Sequence, residues 1–255
     1  MTVALAGAAA RPSAAPAPIL SLAGITRRFG GLVAVDSVTL DVLPGELVSI
    51  IGPNGAGKTT LFNLLTGQLP PSAGRIAFKD QPINDWTTQR RARAGFGRTF
   101  QIAQTLTSLS VLENAMIGAF LHHRSVSAAA EAAMIALTLV GLEARAGLRA
   151  GLLTLSERRR LEVARALALE PGILLLDEVM AGLTPTEIRA MVELVQRLHA
   201  DGLTILVIEH NLKVVRVFSD RVVVLHRGAM LAEGTAGEVL ADPAVIEAYV
   251  GKSRQ

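Results

Sequence analysis

Eight consecutive residues, Gly52-Pro53-Asn54-Gly55-Ala56-Gly57-Lys58-Thr59, constrain the fold of this chain more than any other stretch. They follow the buried-strand pattern Leu47-Val48-Ser49-Ile50-Ile51 and lead into a helix that opens near Lys58. That helix carries Leu61, Leu64 and Leu65 on one side and stops at Gly67. Strand, glycine-rich loop and helix in this order form a phosphate-binding loop. The glycines let backbone N–H groups come close to phosphates, and the helix N-terminus adds its partial positive charge. Lys58 can reach the β and γ phosphates, and the Thr59 hydroxyl can ligate Mg²⁺.

A second element complements the first. The apolar run Ile173 to Leu176 ends in Asp177 and Glu178, so a buried strand delivers two carboxylates at its C-terminal edge. In the same crevice as the phosphates, Asp177 can hold the Mg²⁺ shell and Glu178 can polarise the attacking water. Taken without the loop, such a pair reads equally well as a helix cap or as solvated loop carboxylates.

The rest of the chain alternates strands with helices. Ile19 to Val42 alternates apolar and polar residues around Gly30-Gly31, which predicts a strand pair feeding the central strand. Ser127 to Val140 predicts a helix with Met134 and Leu137 on one face and Gly141 at its end, flanked by two further helical stretches. Glu157 to Leu169 is amphipathic and ends at Pro171-Gly172. Thr184-Pro185-Thr186-Glu187 is a capping box that opens a helix to about Ala200, and Thr235 to Glu238 is another. Between them Leu203 to Ile208, Asn211 to Phe218 and Arg221 to Leu225 read as strand, helix and strand, and a short helix starts at Asp242-Pro243. The expected architecture is α/β, with a mostly parallel sheet covered on both faces, an N-terminal antiparallel β subdomain and a helical subdomain at about 102–168. Residues 1–18 are expected to form an Ala/Pro-rich disordered tail, 19–250 the nucleotide-binding domain and 251–255 a second tail.

Composition narrows the function classes. With 255 residues, half of them hydrophobic, the chain can bury a core without disulfides, and it has no cysteine for a disulfide or a thiolate metal site. No uncharged stretch approaches the roughly 20 apolar residues that span a bilayer. A net charge of +3 is too weak to argue for nucleic acid. The local run Arg90, Arg91, Arg93 is read as a solvated helix face.

Five features recur in one order: Phe29 ahead of the loop; the loop itself; Gln101 about forty residues on; Leu153-Thr154-Leu155-Ser156-Glu157 leading into Arg159-Arg160-Leu161-Glu162-Val163-Ala164-Arg165; and His210 closing a strand after Asp177-Glu178. In that order the chain resembles the ATP-binding cassette (ABC) family of P-loop ATPases from about Ile19 to Val250. The resemblance implies that ATP and Mg²⁺ bind here. It places Phe29 on adenine, Gly52, Pro53, Asn54, Gly55, Ala56, Gly57, Lys58, Thr59 and Thr60 around the phosphates, and Gln101 with Thr59 and Asp177 at the metal. Glu178, His210 and Lys58 become the catalytic set, and Thr154 and Ser156 of the signature contact nucleotide across a dimer.

Gly97-Arg98-Thr99-Phe100-Gln101, Val111-Leu112-Glu113-Asn114, Leu176 to Leu183 and Val245 to Gly251 are more particular. They look like the ATPase subunits of branched-chain amino acid importers, whose relatives import urea and short amides. That closer likeness implies a peripheral cytoplasmic subunit bound to integral membrane permeases and served indirectly by an extracytoplasmic solute-binding protein. It gives no role to nucleic acid. A soluble cassette ATPase of nucleic-acid maintenance or translation is the alternative, and it would usually carry a long coiled-coil insertion or tandem cassettes. The signature departs from the family's Leu-Ser-Gly-Gly-Gln in replacing both glycines by Leu155 and Ser156 and the glutamine by Glu157. Val179 and Thr184 depart from the usual proline and aspartate. These departures predict a heterodimer with a second cassette rather than a homodimer. Ile102, Leu106, Leu109 and Leu112 are expected to line a groove for a permease helix.

Overall fold

The computed structural model describes residues 16–99 and 105–250. Strands β1 (Leu20–Phe29) and β2 (Leu32–Val42) pair antiparallel around the Gly30-Gly31 turn. β3 (Leu47–Ile51) is buried at every position and feeds the glycine-rich loop and helix α1 (Lys58–Leu65). β4 (Ala73–Phe78) and the short β5 (Gln81–Pro82) complete a four-stranded antiparallel sheet in the order β2-β1-β4-β5.

Helix α2 (Thr88–Ala94) then leads to β6 (Phe96–Arg98). Three helices follow, α3 (Val111–Ala119), α4 (Val126–Leu139) and α5 (Leu155–Leu167), and they pack on one another. The chain returns through β7 (Ile173–Asp177), α6 (Pro185–Ala200), β8 (Thr204–Ile208), α7 (Leu212–Phe218), β9 (Arg221–His226) and β10 (Ala229–Gly234). It closes on α8 (Ala236–Ala241) and α9 (Pro243–Val250). The second sheet runs β10-β9-β3-β8-β7-β6 and is parallel except for β10, which pairs antiparallel with β9.

The α/β class with a mostly parallel sheet, an antiparallel β subdomain and a helical region is therefore the observed fold. Its central parallel strands β3, β7 and β8 are buried at every position and mostly hydrophobic because helices or the antiparallel sheet cover both of their faces. One core joins α3 to α6 to the sheet, and another lies between α1, the antiparallel sheet and alternate residues of β3, β7 and β8. The alternation within β3 shows the division: Leu47 faces the first core, Val48 and Ile50 the second, and Ile51 a smaller cluster under α8 and α9.

The expectation of a solvated Arg90, Arg91, Arg93 face is corrected at its middle residue. Arg91 is 1% exposed, while Arg90 and Arg93 face solvent, Arg90 stacked over Trp86. Arg91 donates to the carbonyls of Leu64 and Leu65 at the C-terminal end of α1, and to those of Ile83, Asn84 and Trp86. Helix C-termini leave carbonyls without intrahelical partners, and a guanidinium with five donors can satisfy several of them. Burial pushes its pKa down to about 10, so it stays charged at neutral pH.

Candidate nucleotide site

The edge where β3, β7 and β8 end is where an open α/β sheet binds ligands, because loops leave there and helix N-termini point there. A cleft of about 770 Å³ opens at this edge. It is lined by Phe29 and the start of β2, by Asn54 through Thr60, by Glu178 and by Arg227. Phe29 is 43% exposed at the cleft and carries Arg27 over its ring at 4.6 Å. An exposed aromatic face at the mouth of a polar cleft is suited to stack on a heterocyclic base.

The loop adopts a conformation that only glycine permits at two points. Gly57, the N-cap of α1, has φ +100°, and a Cβ there would lie 2.3 Å from the Ala34 carbonyl oxygen. Gly52 has φ +147°, and a Cβ there would lie 2.1 Å from the Leu225 carbonyl oxygen. The loop is thus wedged between β2 and β9, with the N-terminal amides of α1 directed at the cleft.

Lys58 is buried, and its Nζ donates to the carbonyls of Gly52 at 2.6 Å and Pro53 at 3.0 Å. Burial lowers its pKa, and the carboxylates of Glu178 and Asp177 oppose that fall. The lysine is therefore folded back onto its own loop, in reach of an anion that can outbid two carbonyls.

Asp177 ends β7 beside Ile208 of β8 and is 1% exposed. Its Oδ2 accepts from Arg98 at 2.9 Å, its backbone N–H donates to the Thr99 hydroxyl, and its buried Oδ1 has no hydrogen-bond partner. Burial raises its pKa against the opposing pull of Arg98. A buried carboxylate oxygen left open, with the Thr59 hydroxyl exposed at the start of α1, offers oxygen donors of the kind a hard divalent cation takes. Glu178 has φ +49°, donates its N–H to the Ile208 carbonyl and reaches the cleft with its side chain. His210 follows β8 and is exposed.

Most of the expected site residues therefore meet: Phe29, Asn54, Gly55, Ala56, Gly57, Lys58, Thr59, Thr60 and Glu178 line one cleft, with Gly52 and Pro53 holding Lys58 beneath it. Gln101 and Ile102 lie outside the described residues. Thr154 and Ser156 do not line the cleft. Thr154 is the N-cap of α5, its hydroxyl accepting from the Glu157 N–H while the Glu157 carboxylate accepts from the Thr154 N–H. Ser156 is 8% exposed, and Leu155 packs on Gly182 in the loop after Glu178.

Sequence reasoning missed three participants. Arg98 is the ion-pair partner of Asp177. Glu209, next to His210, is fully buried; burial raises its pKa, while His210 and the Met180 and His210 N–H groups, which face the carboxylate without reaching hydrogen-bond geometry, partly offset that rise. Arg227 lines the cleft from the β9–β10 turn, a long-range contact with no local signature. The Thr154-to-Glu157 capping box was legible as a Thr-x-x-Glu pattern.

Residues 35–181 match the family described as ABC transporter. The chain is 41% identical over 252 residues to the high-affinity branched-chain amino acid transport ATP-binding protein LivG of Escherichia coli K12, covering 92% of this chain and 99% of that protein. This chain belongs to the ABC transporter ATPase family.

BraF of Pseudomonas aeruginosa, another high-affinity branched-chain amino acid transport ATP-binding protein, is 40% identical with the same coverage. Residues 229–254 match a second family, the branched-chain amino acid ATP-binding cassette transporter. Among solved structures, a nucleotide-free ATP-binding cassette from an ABC transporter superposes with a TM-score of 0.85 at 33% identity, covering 92% of this chain and all of that one. A cassette solved as a dimer in a post-hydrolysis state with ADP and Pi superposes with a TM-score of 0.76 at 27% identity, covering 85% and 98%. As an ABC ATPase the chain binds and hydrolyses ATP, and no helix among its described residues is long and apolar enough to cross a membrane.

Proposed function

We propose that this ABC ATPase drives an importer for branched-chain amino acids or related small solutes such as urea and amides, as a cytoplasmic subunit held on the inner face of the membrane. The observation that carries this reading is the branched-chain cassette match at 229–254, added to LivG and BraF relatives that align along nearly their whole length. Uptake of labelled leucine, isoleucine, valine and urea by cells with and without this chain tests it. Unchanged uptake of all four would sink it.

In the proposed mechanism the adenine stacks on Phe29 and the phosphates lie on the amides of Gly52 to Thr60. Lys58 exchanges its two loop carbonyls for the β and γ phosphates, and His210 contacts the γ phosphate. Glu178 orients the attacking water and takes its proton, while ADP leaves with the bridging oxygen. Thr59, Asp177 and Gln101 would hold Mg²⁺, which neutralises phosphate charge when bound. The open Oδ1 of Asp177 supports that assignment.

The partners follow from what the chain leaves exposed and unfinished. A cleft of about 170 Å³ lies between α3 and α5, lined by Arg98, Ile117, Gly118, Glu162, Arg165 and their neighbours. Leu106 is 46% exposed, Ile117 and Phe120 are exposed on the same helical region, and Leu109 and Leu112 are half-buried. This surface is the proposed seat of a permease helix.

Thr154 and Ser156 lie outside this chain's own cleft, which supports a role across a dimer. The cassette with bound ADP and Pi is dimeric. At the N-terminus of α5, however, Glu157 already occupies the position an anion would take, its carboxylate held by the Thr154 N–H and by Arg145 at 3.2 Å. Leu155 adds an exposed side chain where the family has glycine. A γ phosphate arriving there meets a carboxylate and a bulky side chain, so a second cassette with a regular signature is the better partner for this chain's complete phosphate loop.

A further inference from the structure

The chain has a single tyrosine, Tyr249, whose ring packs on a core cluster but whose hydroxyl that packing does not explain. Helix α9 is anchored by the buried Val245 and lays Tyr249 against a cluster that includes Ile51, Val222, Val224 and Val239. Its hydroxyl oxygen is buried and has no hydrogen-bond partner. Burial raises the phenol pKa, and the Gly52 N–H, which faces the oxygen without reaching hydrogen-bond geometry, partly offsets that rise. An unmatched buried hydroxyl is costly where phenylalanine would carry none, so its presence calls for a reason.

Gly52 supplies one. Its N–H faces Tyr249, and its carbonyl accepts from Lys58 Nζ at 2.6 Å. A Cβ at Gly52 would lie 2.1 Å from the Leu225 carbonyl oxygen, so the residue must be glycine and its backbone keeps the freedom to rotate its peptide planes when Lys58 is displaced.

We propose that Tyr249 is a positioning residue for the phosphate loop: its hydroxyl completes a hydrogen bond with the Gly52 N–H when nucleotide draws Lys58 off the Gly52 carbonyl. The C-terminal segment 229–254, which distinguishes the branched-chain cassettes, thereby senses occupancy of the loop. This inference rests on the reading of Gly52 to Thr60 as the phosphate cradle.

The test uses the full chain with MgADP as the probe. Because there is one tyrosine, incorporation of 3-fluorotyrosine gives one ¹⁹F resonance, and that resonance is expected to shift on saturation with MgADP. Tyr249→Phe keeps the ring and removes the hydroxyl. It is expected to weaken MgADP binding about three- to tenfold by calorimetry, as the loss of one hydrogen bond implies, without lowering Tm. An unmoved resonance under calorimetrically verified saturation, or an unchanged affinity in Tyr249→Phe, overturns the proposal. Lys58→Ala separates the two readings: loss of MgADP binding upholds the cradle whatever Tyr249 does, whereas wild-type affinity overturns both.

Discussion

Glu178 sits in a left-handed backbone conformation, φ +49°, that costs a non-glycine residue on the order of 1–3 kcal/mol. The turn it makes lifts the chain off β7 and aims the carboxylate into the cleft, so geometry and strain mark the same residue. Glu178→Gln keeps the shape and loses the base. It is expected to bind MgATP and accumulate as an ATP-bound dimer with hydrolysis nearly abolished, as read by gel filtration and phosphate release; turnover near the wild-type rate would remove its assigned role. Lys58→Ala loses a charge-assisted contact to the transferring phosphoryl, about 3–4 kcal/mol if it resembles other transition-state donors, or two to three orders of magnitude in ATPase rate. Glu209 gives a pH signature. Its folded pKa is raised, so folding gains fully below the ordinary glutamate value and loses that contribution as pH rises through the folded value. Glu209→Gln should therefore match the wild type in Tm near pH 4 and exceed it near pH 8. A Tm difference that does not grow with pH would show that the buried carboxyl carries no such penalty.

At the scale of elements, side chains that close helix ends decide much of the structure. Arg91 ties the C-terminus of α1, the helix that presents Lys58, to the turn before α2. Arg91→Met strips five carbonyls of a charged donor, leaving those of Leu64 and Ile83 only their backbone partners, and is expected to cost about 3 kcal/mol, a fall of roughly 6–12 °C in Tm for a domain of this size. Arg93→Met, on the exposed side of the same helix, should stay within about 0.5 kcal/mol, and equal losses in the two variants would refute the distinction. The same helix shows where sequence stops being informative. An arginine triplet looks identical whether its middle member faces water or five carbonyls, because the carbonyls come from residues up to 27 positions away. The phosphate loop was legible because strand, glycines, lysine and helix are contiguous. Asp177 and Glu178 were legible because a fully apolar strand must end somewhere, and the loop gave that end a purpose. Arg98, Glu209 and Arg227 were not, since their roles depend on strand neighbours that only the sheet order brings together. The capping boxes at Thr184 and Thr235 were read directly, whereas the one at Thr154 was hidden by reading the same residues as a degenerate signature.

For the whole molecule, the proposed dimer pairs this chain's phosphate-loop half-site with a partner's signature, and this chain's altered signature with the partner's loop. In a complex with a second cassette, Glu178→Gln here should reduce ATP turnover far more than the matching change in the partner, because the partner's nucleotide would face Leu155 and Glu157. Measuring phosphate release from the two assembled complexes decides it. Equal losses, or full activity from this chain as a homodimer, would sink the asymmetry and leave the ATPase assignment standing. The two sheets also meet at one point beside the cleft: the Gly228 N–H donates to the Ala56 carbonyl, and the Gly228 carbonyl accepts from Asp36. Phosphate loop, β9–β10 turn and β2 are thereby fastened at Gly228, which ties the wall bearing Phe29 to the wall bearing Lys58. In the proposed binding mode the cleft then acts as a caliper, the span from Phe29 to Lys58 being set for a base joined to a phosphate chain.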